Sequence, residues 1–284
     1  MNVVSLEPST LYIVATPIGN LGDISPRAIQ TLAQADILLA EDTRVTRKLC
    51  SYFEISTGIE RFDENTSVQK IPHVLSLLEG GSSVALVSDA GTPCVSDPGL
   101  NLVAAVKDAE FDVVSIPGAS AVLVALSSSG IVASGFYFGG FVPRKIGDRR
   151  RAFADVASLD AALVFFESPH RVVATLNLLA ELFPLRIGAV ARELTKIHEE
   201  VIRLPLPELA REMASREKIK GEIVLVIGNP PPQERERGAL ADEAIAELLR
   251  EKIARGQTRS SAIKQVVLET GLARNEVYKI ALEL

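Results

Sequence analysis

SSVALVSDAGTPCVSDPGLNLVAAV, residues 82–106, decides the fold. An apolar run ends in a loop crowded with Asp, Gly, Pro and Ser, and an apolar helical segment follows. That is the signature of strand, loop and helix in an α/β unit. Asp97-Pro98 reads as an N-cap side chain before a first-turn proline, which starts the helix. Asp89-Ala90-Gly91-Thr92-Pro93 is more than a turn needs. Its small side chains let a ligand approach the backbone closely.

The same alternation extends in both directions. Strands are predicted at 11–15, 36–40, 83–88 and 112–116, then at 136–141, 162–166, 186–191 and 222–228. Helical patterns fill 26–35, 43–53, 67–79, 98–109, 119–129, 148–158, 169–182 and 207–218. This predicts two consecutive α/β units with helices on both sheet faces. Ser25-Pro26 and Ser168-Pro169 repeat the capping device of Asp97-Pro98. GNPPPQERERG (228–238) reads as a linker, because consecutive prolines continue neither strand nor helix. Beyond it, helical patterns at 240–254, 259–270 and 274–283 have helix-turn-helix spacing, which fits a nucleic-acid reader or a plain helical cap or dimerisation element. The expected domains are 1–118, 119–230 and 231–284.

Composition narrows the class. The chain has 284 residues, 47% of them hydrophobic, and a net charge of -6. Whole-molecule attraction to nucleic acid is therefore not expected, and any RNA contact needs a local basic patch. Two cysteines argue against a disulfide framework, and no metal site is expected. No apolar stretch reaches the ~18–20 residues of a membrane span, and the N-terminus lacks signal-peptide character. A cytoplasmic protein without a membrane partner is expected.

Common nucleotide and hydrolase motifs are missing. TPIGNLGD (16–23) is G-x-x-G rather than G-x-G-x-x-G, and neither a Walker lysine loop nor a G-x-S-x-G elbow occurs. What remains is a ligand held largely by loop backbone at strand carboxyl ends, where α/β sheets bind ligands.

LYIVATPIGNLGDISPRAIQTLAQADILLAEDTR (11–44), VSDAGTPCVSDPG (87–99), IPGASAVLVALSSSG (116–130), FGGFVPRK (138–145), FFESPHR (165–171) and ARELTKIHEE (191–200) occur in this order. Together they resemble the ribosomal RNA small subunit methyltransferase I family of the tetrapyrrole methylase-like superfamily. The resemblance covers about residues 10–230. It implies a class III methyltransferase fold of two α/β domains with a small C-terminal helical domain. It also implies S-adenosylmethionine as methyl donor, the 2'-hydroxyl of a cytidine in 16S rRNA of the small ribosomal subunit as acceptor, and a homodimer. Carried over position by position, it places the donor at Pro17 after the first strand and at Asp89, Ala90, Gly91, Thr92 and Val95. Ser120, Ala121 and Phe166 complete that set. Thr92 stands where the superfamily has an acid, with Asp89 beside it.

Two turns offer acceptor chemistry: FFESPHR gives Glu167 and Arg171, and ARELTKIHEE gives Arg192 and Lys196. Such groups can take the ribose proton or stabilise the developing alkoxide. Arg192 beside Glu193 reads equally as a structural ion pair. RNA contact is expected from Arg44, Arg47 and Lys48, on one helical face, and from Arg144, Lys145, Arg149, Arg150 and Arg151. Two other readings compete: a small-molecule, tetrapyrrole-like methylase of the same fold, and a nucleic-acid-binding regulator led by the C-terminal helices.

Overall fold

The computed structural model describes residues 5–284 except 64–65, 97–98, 271–273 and 283; the side chains of 235–241 and 274–276 also lie outside the description. Strands β1 (Thr10–Val14), β2 (Ile37–Ala40), β3 (Gly58–Arg61), β4 (Val84–Val87) and β5 (Asp112–Ile116) form one sheet in the order β3-β2-β4-β1-β5. Every pairing in it is parallel. Parallel neighbours need crossovers. Helices α1 (Pro26–Gln34), α2 (Thr43–Tyr52), α3 (Ser67–Glu79) and α4 (Leu100–Asp108) supply them. Alternate strand residues feed opposite faces. Leu11, Ile13, Leu39 and Leu86 build one core, while Tyr12, Val14, Leu38 and Val87 build the other. Burial on both faces explains why these strands are apolar runs rather than alternating ones.

A second sheet follows. It contains β6 (Phe136–Phe141), β7 (Ala162–Glu167), β8 (Ile187–Arg192), β9 (Glu200–Pro205) and β10 (Ile223–Ile227), in the order β6-β7-β10-β8-β9. β6 and β7 are parallel, whereas β10 runs antiparallel to β7 and β8, and β9 to β8. Helix α5 (Ala121–Ser129) covers one face through Val122 and Ala125, which pack with Val164, Ala189 and Val224. Helices α6 (Ile146–Asp155), α7 (Val172–Leu182) and α8 (Leu206–Ala214) cover the other face around Phe153, Leu176, Leu209 and Phe165. The antiparallel register sets Ile223 opposite both Glu167 and Arg192. The ends of β7 and β8 and the start of β10 therefore share one sheet edge.

Several local expectations are corrected. β3 and β9 were not anticipated: both are edge strands, only half-buried, and neither GIER nor EVIRLP is a continuous apolar run. Pro26 opens α1, with the Ser25 hydroxyl accepting the Ala28 N–H at 3.0 Å. Asp97 and Pro98 lie outside the described residues, and α4 begins at Leu100 behind Gly99. α7 does not begin at Pro169. It starts at Val172, without a side-chain cap, because the Ser168 hydroxyl is engaged by Arg171 at 3.1 Å.

The expected linker is mostly helix: α9 runs Pro232–Ala254, so only 228–231 joins it to β10. Proline lacks only an N–H that the first turn leaves unused. Arg186 anchors this start. Fully buried, it pairs with Glu234 and lies 4.1 Å from the centre of the Phe183 ring. Helices α10 (Arg259–Thr270) and α11 (Arg274–Leu282) share a separate core with α9 through Leu249, Ile263, Val266 and Val277. Among the described residues no helix is long and apolar enough to cross a membrane.

Candidate active site

β1 and β4 are neighbours, so the loops leaving their carboxyl ends emerge side by side. The Thr16 N–H donates to the Gly91 carbonyl at 2.8 Å, and the Gly91 N–H returns to Thr16 at 3.1 Å. The Thr92 hydroxyl donates to the Ala119 carbonyl at 3.2 Å, tying in the loop before α5. Three loops are thereby fixed as one floor.

The first domain reaches across to the second. Ile18 is buried with Leu194 in the core beneath α5. The Asn20 N–H donates to the Thr195 hydroxyl at 3.1 Å. Gly19 permits this closeness: a Cβ there would sit 2.5 Å from Lys196 Cγ and 2.9 Å from the Leu194 carbonyl.

Between the two sheets lies a cleft of about 520 Å³. Asp89, Ala90, Gly91, Thr92, Val95, Ser120, Ala121 and Phe166 line it, as do Ile18, Glu41, Leu194 and Gly221–Val224. Pro17 does not. It lines a neighbouring cavity of about 350 Å³, which shares Ile18, Asp89, Ala90 and Glu222 with the cleft. Backbone strain gathers in the bordering loops. Cys94 and Ser96 have φ of 69° and 65°, and Glu193 and Thr195 have φ of 51° and 64°. Each such non-glycine residue costs about 1–3 kcal/mol, a cost that clusters at functional sites.

Asp89 sits at the cleft rim and accepts the Asp42 N–H at 3.0 Å. Partial burial, seconded by the Asp42 charge, raises its carboxyl above the usual carboxylate range despite that hydrogen bond. Asp42 moves the opposite way, held down by Arg44, whose guanidinium bonds it at 2.6 Å.

Glu167 and Arg171, expected on the acceptor side, form an ion pair. The Glu167 carboxylate is sealed from solvent. It accepts the Ser168 N–H, the Thr175 hydroxyl and Arg171, each at 2.6 Å. Arg171 also donates to the Ser168 hydroxyl and the Val142 carbonyl, both at 3.1 Å. The pair clamps the β6, β7 and α7 junction; Glu167 also lines the cleft, with its carboxylate engaged by these three partners.

Arg192 donates to Glu200 at 3.2 Å and to the Lys220 carbonyl at 3.3 Å, so it fixes the approach to Gly221. Arg216, with Arg192 adding to it, holds Glu200 down to about 2. Lys196 donates to Glu193 at 2.9 Å and Glu222 at 3.1 Å, and lines the smaller cavity. Burial alone would lower its ammonium, but these two carboxylates outweigh it and raise the group.

The basic residues separate by exposure. Arg47, Lys48, Arg144 and Lys145 are exposed. Arg150 is exposed but pairs with Glu181 at 2.8 Å, and Arg151 stands 3.8 Å from Asp148. Arg149 is a correction. It is 5% exposed and donates to the carbonyls of Pro143 and Arg144, so it supports the turn into α6 rather than reaching a phosphate.

Ile18 belongs to the loop after β1 that was expected to meet the donor, whereas Glu41, Leu194 and Glu222 were not anticipated in the cleft. Glu41 had a visible signal, an acid directly after a strand. Leu194 and Glu222 reach the cleft only through the antiparallel insertion of β10, which spacing does not reveal.

Two sheets meeting over a cleft at their loop-bearing edges define the class. The family model described as Tetrapyrrole (Corrin/Porphyrin) Methylases matches residues 10–210. A solved uroporphyrin-III C-methyl transferase from Thermus thermophilus, complexed with S-adenyl homocysteine, shares the fold. Its TM-score is 0.54 at 20% identity, covering 77% of this chain and 97% of that one.

Sequence relatives narrow the class further. Ribosomal RNA small subunit methyltransferase I of Synechocystis sp. is 42% identical over 96% of this chain and 98% of its own length. The Bacillus subtilis protein of that name is 38% identical over 94% and 92%. The chain belongs to the ribosomal RNA small subunit methyltransferase I family.

Proposed function

We propose that the protein transfers a methyl group from S-adenosylmethionine to the ribose 2'-hydroxyl of a cytidine in 16S rRNA, with the small ribosomal subunit as substrate. The observation that carries this reading is the cleft itself. Its first-domain side is mostly loop backbone with small side chains, bordered by Glu41 and Asp89, and its second-domain side sets apolar Phe141, Phe166, Leu194 and Val224 beside the polar Glu167, Ser168 and Glu222. A volume of about 520 Å³ lies within the ~300–1,000 Å³ range of small-molecule sites. Ala90–Thr92 and Ser120–Ala121 would hold the donor's polar groups, and Phe166 and Leu194 its apolar surface. When bound, the donor supplies an activated methyl.

The chain supplies alignment, which accounts for up to ~7–11 kcal/mol of a barrier. In this reading Lys196, held between Glu193 and Glu222, fixes the wall on the acceptor side. Arg192 positions the Gly221–Glu222 strip, and the clamp of buried Glu167 with half-buried Arg171 holds the β7 turn. Exposed Arg47, Lys48, Arg144, Lys145, Arg150 and Arg151 contact phosphates.

The proposed units are 1–118, 119–230 and 231–284, acting in the cytoplasm where ribosomes are its substrate. We also infer a homodimer, supported by exposed apolar residues on two edge strands, Val114 on β5 and Phe136 and Tyr137 on β6. Thermal shift with S-adenosylmethionine, then tritium transfer to 30S subunits, free 16S rRNA and uroporphyrinogen, tests the reading. Donor-dependent stabilisation with transfer to 30S subunits is expected. Donor binding with transfer only to the tetrapyrrole would overturn it.

A further inference from the structure

The cavity beside the donor cleft is a separate feature of the site. It is about 350 Å³, near the lower end for small-molecule pockets, and joins the cleft at Ile18 and Asp89. One wall is a face of α2. Val45, Lys48 and Tyr52 follow one another at intervals of three and four, so they project to the same side. Lys196 lies on the second-domain side.

Tyr52 is unusual for an aromatic residue. It is 66% exposed, and its ring makes a T-shaped contact with Phe53, 4.9 Å away at 78°. An exposed, braced ring at the mouth of a partly apolar cavity is a stacking platform for an unpaired base. Lys48 beside it is exposed and makes no ion pair among the described residues. Lys196 is balanced by Glu193 and Glu222, so Lys48 supplies the positive charge here.

We propose that this cavity receives a single unstacked nucleotide of the RNA, with its base on Tyr52 and its phosphate at Lys48. The shared Ile18–Asp89 wall then turns the ribose toward the donor cleft. An enzyme acting on one nucleotide within a folded RNA must extract it from its neighbours, and the cavity is on the scale of one nucleotide rather than a helix. This rests on the methyl-transfer reading above, and it names which side chains select the acceptor.

The test is steady-state methylation of 30S subunits by purified wild-type, Tyr52→Ala, Tyr52→Phe and Lys48→Ala proteins. Donor dissociation constants and melting temperatures are measured in parallel. Tyr52→Ala is expected to raise KM for the subunit roughly tenfold, with Tyr52→Phe close to wild type. Lys48→Ala is expected to raise KM and weaken its salt dependence. Donor affinity and melting temperature stay unchanged in all three. An unchanged KM in Tyr52→Ala, with wild type active, would overturn the inference and leave the methyl-transfer reading standing. A wild-type enzyme inactive on 30S subunits would sink both. Should Tyr52→Ala melt early, a photo-crosslink from a 5-iodocytidine-substituted RNA decides instead, with attachment at Tyr52 expected and attachment only on other elements contradicting the proposal.

Discussion

Asp89 is the residue where loop geometry and electrostatics meet. It holds the start of α2 through the Asp42 amide, and it borders both cavities. In the proposed donor contact it acts in its ionised form. Asp89→Asn should therefore raise the donor dissociation constant, by about tenfold if one charge-assisted hydrogen bond is lost. Its carboxyl titrates above the usual range. Donor affinity should thus fall on acidification before an ordinary carboxylate would protonate, and a titration of affinity against pH checks this. Glu200 gives the complementary stability prediction. Its folded carboxyl is lowered to about 2 from 4.5, so the folded state favours the ionised form. The stabilisation is complete above about 4.5 and is lost as pH falls toward about 2. Glu200→Gln should cost about 1–2 kcal/mol at neutral pH, discounted for the solvent that reaches the cluster. Urea unfolding at pH 7 and pH 3 should show the mutational difference shrinking at the lower pH.

Among the elements, the loop after β1 is the latch between the sheets. Gly19→Ala would drive a methyl into Lys196 and the Leu194 carbonyl. The two loops must separate, and the cleft they border must widen. A misplacement of about 1 Å can cost about a hundredfold in rate. A fall in kcat/KM of between about tenfold and a hundredfold is expected, with each domain's own core intact.

The sequence made the central elements legible, because strands buried on both faces are continuous apolar runs. It did not reveal β3 and β9, because an edge strand needs fewer apolar positions. Three prolines looked like a linker, although the last of them opens α9. Small residues crowding strand ends pointed to the loops that line the cleft, and of the residues expected to meet the donor Pro17 alone does not line it. The acceptor side was less so. Nothing in FFESPHR says that Glu167 turns inward to meet Thr175, eight residues on.

At the scale of the whole molecule, an acidic chain must place its positive charge locally to engage RNA. Replacing Arg144, Lys145 and Arg151 with Ala removes three exposed cations near the β6–α6 turn. The salt dependence of RNA binding should flatten, by about 2–3 in the log–log slope if all three meet phosphates. Arg149→Ala should instead lower the melting temperature, because its buried guanidinium holds two carbonyls. An unchanged slope in the triple variant would place the RNA elsewhere. In the proposed reaction the methyl goes to a ribose oxygen of small-subunit rRNA. The decisive measurement is alkaline hydrolysis of 16S rRNA after transfer from tritiated S-adenosylmethionine on unmodified 30S subunits. A 2'-O-methyl group blocks cleavage at its own phosphodiester, so label is expected in one alkali-resistant dinucleotide that begins with cytidine. Label released in ordinary mononucleotides would put the methyl on a base and rule out ribose methylation.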